Sequence, residues 1–253
     1  MEASWVITGS VPWRRPASLL ATAAVFVAPY GARAWWSFVP ATIAILLLAR
    51  ARDPQGWKRR LGLPTTTRAW LATAGVAAVC AAIFAILIGV LARRGGVTFD
   101  RSQWSALHHV RPLFQAFNEE LLFRGALLAW LLERRPVGLR LCASVAGVFA
   151  LAHLGFYAVR DSTLIGPGAL ASYFLFGLLC NLLALRTGHV GYAFALHVGW
   201  NLTRFAGQVV HAGTPLSEGE SVALFEGSAV LFVPLFALAA IACLWPRQEA
   251  PRG

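Results

Sequence analysis

The stretch FNEELLFRG, residues 117–125, decides how this chain is read. Glu119, Glu120 and Arg124 interrupt a run that is otherwise apolar enough to cross a bilayer. An ionisable group within a span is costly and marks a functional site by default. Glu120 and Arg124 are four residues apart and share a helix face, with the acid first, the better order for such a pair. Their mutual neutralisation offsets much of the cost of burial. Glu119 lies about 100° further round the helix, so it must find a partner on another helix or stay protonated.

The rest of the chain supports a membrane setting. Of 253 residues, 58% are hydrophobic and only 13% charged, against about 25% charged in soluble domains. Mean hydropathy is +0.63. Apolar runs place helices at 17–31, 35–50, 69–92, 112–132, 139–157, 168–187, 190–207 and 222–245. The expected fold is all-α, a polytopic transmembrane helical bundle of about eight spans, with residues 1–253 forming a single integral-membrane domain. Arg14 and Arg15 before a short apolar stretch, with Ala32-Arg33-Ala34 after it, leave a removable leader as the alternative to a retained first helix.

The net charge of +11 does not point to nucleic acid, because the basic residues cluster in short loops between apolar runs, as topology signals do. With eight spans and the N-terminus inside, inner segments collect fourteen Lys and Arg and outer loops six. Both termini are therefore expected in the cytoplasm. Lys58 is the only lysine; the arginine bias fits a GC-rich bacterial genome, and hence a bacterial inner membrane. Cys80, Cys142, Cys180 and Cys243 lie in apolar runs without CxxC spacing, so neither a disulfide framework nor a zinc ribbon is expected.

The candidates inside the spans are few. Besides the 119–124 group these are His153, Asn181, His197, Asn201 and Arg204. With residue 112 at the outer edge, Glu119 lies roughly 10 Å deep. His153, His197 and Asn201 fall in the same outer layer. A carboxylate beside an imidazole can activate water. A second histidine and an amide, four apart on one helix, can donate to a developing oxyanion. The combination reads as amide hydrolysis within or beside the membrane, with Glu119 as base and His153 orienting the water. No Gly-x-Ser-Gly, no pair of intramembrane aspartates and no HExxH occurs. Zinc held by Glu119, His153 and His197 stays open.

Glu119-Glu120-Leu-Leu-Phe-Arg124, Phe149-Ala-Leu-Ala-His153 and His197-Val-Gly-Trp-Asn201 resemble the three motifs of the CPBP intramembrane proteases, the CAAX prenyl endopeptidases and bacteriocin-processing proteins. The resemblance covers residues 110–205. It implies a catalytic cavity between four core helices, Glu119 as metal-independent general base and His153 beside the water. It further implies His197 and Asn201 as the oxyanion pair, with Glu120 and Arg124 in support. Eukaryotic members cut after a prenylated cysteine facing the cytosol. An outer-leaflet site in a bacterial membrane fits a myxosortase-like role better, cutting C-terminal anchor or sorting segments of exported proteins. A non-catalytic immunity or scaffold protein of the same fold and a proton-coupled small transporter are the alternatives. The partners expected are membrane lipids and a peptide with a membrane-associated segment.

Smaller signals carry less. His108, His109, His189 and His211 read as loop residues, and Arg204 as a side chain snorkelling to headgroups. Gly166-Pro167-Gly168 reads as a turn. Leu61-Gly62-Leu63 is nearly uninformative by itself. Glu218, Glu220 and Glu226 make the last outer loop acidic.

Overall fold

The computed structural model describes residues 38–52, 54–100, 106–132, 138–161, 165–204, 208–217, 220–221 and 224–225. The helix expected at 17–31 and nearly all of the one at 222–245 lie outside these residues. The elements run α1 (Phe38–Arg52), α2 (Trp57–Arg60), α3 (Thr67–Arg94), β1 (Val97–Asp100), α4 (Ala106–Glu120), a π-helix (Leu121–Leu128), α5 (Ala129–Leu132), α6 (Leu139–Asp161), α7 (Pro167–Thr187), α8 (Gly191–Arg204), β2 (Gln208–His211) and β3 (Thr214–Pro215).

Helix ends follow local chemistry. Thr66 caps α3, its hydroxyl accepting from the Ala69 amide at 3.2 Å, and Arg93 and Arg94 close it on the negative end of the helix dipole. Pro167 stands in the first turn of α7, where its missing N–H costs nothing. Gly188, at φ +74°, ends that helix in the left-handed conformation.

Among the described residues three helices are long and apolar enough to cross a membrane: α3, α6 over Leu139–Tyr157, and α7. Almost none of the α3 span is covered by the rest of the described chain. Leu71, Val79, Ile83, Ile86 and Val90 project from it, an apolar surface suited to lipid tails and costly in water. By contrast α6 and α7 pack closely: an added Cβ at Gly177 would lie 3.3 Å from Ala146 Cα and 3.1 Å from the Phe149 ring.

Two expectations are corrected. The fold is not purely helical: β1, β2 and β3 form an antiparallel sheet in that order, with Val97 opposite His211 and Asp100 opposite Gln208. The segment 93–111, read as one loop, holds β1 and the first turn of α4, which starts at Ala106 rather than 112. Strands of four residues are too short to show periodicity. The turn Ala212-Gly213 takes positive φ at both positions, the geometry of a two-residue hairpin, but it lacks the usual Asn or Asp.

The tripeptide Leu61-Gly62-Leu63 proves to be a wedge. Leu61 and Leu63 are buried with Leu121 and Val190, Gly62 sits at φ +64°, and its carbonyl accepts from the Val190 amide at 2.6 Å. Gly125 in the π-helix lets this turn approach, since a Cβ there would stand 2.8 Å from the Leu61 carbonyl oxygen. Gly125→Ala is therefore expected to cost about 1–3 kcal/mol, read as a lowered midpoint in thermal unfolding of the detergent-solubilised chain.

His189 lies in the turn between α7 and α8, where its Nδ1 accepts from the Gly191 amide at 3.1 Å. Burial holds its pKa below the ordinary imidazole value. The sign follows from linkage: the unfolded chain takes up the proton first, so stability falls as pH drops below that value. His189→Gln should flatten this part of the stability–pH curve between pH roughly 5 and 7, a range set by the ordinary imidazole.

Candidate active site

The acid pair lies where α4 passes into the π-helix. Glu119 and Glu120 are the last α-helical residues, and Arg124 follows within the wider turns. All three are buried. Arg124 Nη1 donates to Glu120 Oε1 at 3.1 Å, the expected i,i+4 contact. Its other two nitrogens are also engaged: Nε reaches Asn181 Oδ1 at 3.0 Å and Nη2 the Gly177 carbonyl at 2.9 Å. The guanidinium lies 4.7 Å from the centre of the Phe149 ring, and Asn181 Nδ2 donates to the Cys142 carbonyl at 2.8 Å. The cation is thus enclosed by an anion, two oxygen acceptors and an aromatic face, the conditions under which buried charge is tolerated.

Glu120 Oε1 has a second partner, His197 Nδ1, at 2.8 Å. With the carboxylate ionised, that nitrogen carries the hydrogen, and Nε2 of neutral His197 presents a lone pair. Nε2 stands 3.6 Å from Glu119 Oε2. His153 is arranged in the same way. Its Nδ1 donates to the Phe149 carbonyl at 2.9 Å, because a carbonyl can only accept, and its Nε2 also stands 3.6 Å from Glu119 Oε2. Gln115, one turn before, donates to Glu119 Oε1 at 3.2 Å. Two imidazole nitrogens and a carboxylate oxygen from three helices therefore converge. Asn201, one turn beyond His197, is buried, and its Nδ2 makes no hydrogen bond among the described residues.

The structure thus brings Glu119, His153 and His197 together and places Glu120 and Arg124 behind them. Asn201 follows on the α8 face that carries His197. Three contributors were not singled out from sequence. Tyr173 stacks on the His153 ring at 4.2 Å with 22° between planes. Gln115 repeats the i,i+4 spacing to Glu119. Asn118 accepts from Thr42 Oγ1 at 2.8 Å and binds α4 to α1. Only the Gln115 spacing carried a signal that could have been used.

Other residues fall elsewhere. His211 is exposed on β2 and His189 lies in its turn. The side chains of His108, His109 and Arg204, and residues 218 and 226, lie outside the described structure. Glu220 accepts from the Ser217 amide at 2.8 Å and hydroxyl at 2.7 Å, a capping arrangement whose hydrogen bonds hold its pKa below the usual value. The donor set of Glu119, His153 and His197 is one that zinc accepts. Yet among the described residues no group of three or more His, Cys, Asp or Glu is placed to hold a metal ion.

Residues 101–203 match the family model of the type II CAAX prenyl endopeptidase Rce1-like proteins. The match encloses the three motifs and every residue of the converging group. Over this segment the chain is similar to the CPBP family. No curated protein and no solved structure matches the chain. The CPBP family is one of CAAX-type intramembrane proteases acting on peptides. Together with the three long apolar helices, the match makes the chain an integral membrane protein.

Replacing Arg124 by Met should leave the Glu120 charge and the Asn181 amide poorly paired in the interior. A loss of about 3–5 kcal/mol is expected, the cost of breaking a buried ion pair. Denaturant titration in detergent micelles checks it, with Glu120→Gln/Arg124→Met recovering part of the loss.

Proposed function

We propose that the chain is an intramembrane endopeptidase in which Glu119 activates the attacking water. One observation carries the reading: Glu119 Oε2 stands 3.6 Å from Nε2 of both His153 and His197. Each ring has its Nδ1 engaged elsewhere, so both offer lone pairs at the same point. Water held there has acceptors on each side, and Glu119 takes its proton as the oxygen attacks the peptide carbonyl. The tetrahedral oxyanion is met by Asn201 Nδ2 and by His197 while Nε2 of that ring carries the water's proton, passed across from Glu119 and stabilised there by the Glu120 charge; the proton goes back to Glu119 as the intermediate collapses. Glu119 then returns the proton to the leaving amine, giving a carboxylic acid and a free amino terminus. No metal enters the sequence of steps.

The proposed setting is an eight-span protein of a bacterial inner membrane, with both termini cytoplasmic and the site toward the outer leaflet. A site on that side meets exported proteins rather than prenylated cytosolic ones. The substrate class proposed is a C-terminal anchor or sorting segment.

Glu119→Gln should lower cleavage by at least about 10²–10⁴-fold, the contribution of a positioned base, with unchanged insertion and melting. The substrate comes from comparing membrane and secreted proteomes of a deletion strain and its parent. A scaffold or immunity function would survive the substitution, and a transporter would lose pH-coupled uptake in liposomes without any cleavage. Cleavage should persist in chelator; loss restored by zinc would overturn the metal-free mechanism.

A further inference from the structure

The small sheet has two unlike edges. Leu216 donates its amide to the Val209 carbonyl at 2.8 Å, so the polar backbone groups of Val209 point toward β3. In an antiparallel ladder successive residues alternate, so Gln208 and Val210 point toward β1 and bond Asp100 and Thr98, their partners in register. Val97 and Phe99, opposite His211 and Val209, therefore turn their N–H and C=O groups away from the sheet. Among the described residues these outward groups make no hydrogen bond.

At the far edge, β3 is two residues long, and the residue in the equivalent outward position is Pro215, opposite Val210. Proline has no N–H to offer, and short proline-bearing strands are a usual way to close an edge against pairing. One edge is thus blocked while the β1 edge keeps alternating donors and acceptors.

The location connects this edge to the site. Val97, Phe99 and Val209 pack on the last turns of α3 together with Trp200. Trp200 is the residue before Asn201 and meets Phe84 of α3 edge-on at 5.1 Å. The inner face of the sheet therefore rests on the helix turn that carries the Asn201 amide. A helical segment cannot present its peptide bond to a nucleophile, because its backbone is wrapped and its amides are already bonded. A peptide must be extended at the cleaved bond, and an extended backbone short of water needs partners for its own N–H and C=O groups.

We propose that β1 is the substrate-docking strand: an extended segment of the peptide adds to its outward edge, bonding the backbone groups of Val97 and Phe99 that the ladder leaves unused. Affinity then comes from main-chain bonds, and the substrate must unwind over the residues that pair. Exposed Arg93 and Arg94 just before β1 favour an acidic residue or a chain-terminal carboxylate at that end of the bound strand.

The inference rests on the endopeptidase reading, so binding is measured apart from cleavage. The probe is a set of synthetic peptides, each an apolar helix of about twenty residues followed by a randomised tail, in nanodiscs with the Glu119→Gln chain. Tail amides of the tightest binder are N-methylated one at a time. Strand addition predicts losses at every second position, about tenfold for each bond removed, while methylation between them is silent. Val97→Pro, which deletes an outward N–H not used in the ladder, should weaken the unmodified peptide about tenfold while leaving the alternating methylation profile in place. A flat profile, a contiguous block of sensitive positions or the absence of binding overturns the proposal. If wild type nevertheless cleaves peptides, the protease reading stands without it. An alternating profile with no cleavage by wild type upholds docking and removes the protease reading. A fall in oligomer mass on Val97→Pro, by light scattering, assigns the edge to a second copy and overturns the proposal.

Discussion

A single carboxylate oxygen, Glu120 Oε1, receives both the Arg124 guanidinium and the His197 imidazole. Most of the site hangs from that atom. Through Arg124 it reaches the Asn181 amide and the Gly177 carbonyl on α7, and through Asn181 the Cys142 carbonyl on α6. Through His197 it reaches α8. An anion with two charge-assisted partners is stable in the interior only while each partner is itself satisfied. That is why the Arg124 donors are distributed over two helices rather than spent on the acid alone. The network fixes which way the α8 imidazole faces, and hence where Glu119 finds its neighbour.

The two histidines reach the same orientation by different routes. His197 is set by a charge, His153 by a backbone carbonyl of its own helix and by the Tyr173 ring stacked on it. In both, the nitrogen left facing Glu119 is determined by what the other nitrogen does, the usual way proteins select a tautomer. Phe149 serves both charges and rings: its carbonyl takes the His153 proton, and its ring lies against the Arg124 guanidinium. An aromatic residue four before the histidine has a mechanical role, since the two side chains share a helix face.

The sequence showed the acid pair because helical spacing is written directly in residue order: four apart means facing, one apart means turned away. It put His197 and Asn201 on one face of their helix for the same reason. It did not show what closes the network. Arg124 ends on a backbone carbonyl, which has no letter, and on Asn181, one amide in an apolar helix. The sheet was missed because four-residue strands, Val97–Asp100 and Gln208–His211, are too short for alternation to register, and their pairing spans about half the chain. Leu61-Gly62-Leu63 and Gly125 were legible only jointly, since a tight approach is a property of two distant segments. Tyr173 lay in a run of apolar residues and had no spacing relation to the histidine it covers.

The π-helix from Leu121 to Leu128 has a consequence for how this chain tolerates change. Wider turns hold more residues than α-helical ones, so the carboxylates before the segment and the apolar residues after it follow different angular registers. Were the same eight residues to tighten into ordinary helix, each would turn further than it now does, and the acids would swing relative to everything downstream. An alteration that looks like the repair of an irregular helix would disassemble the cluster, so the irregularity acts as a phase adjuster between the membrane-packing face and the polar face.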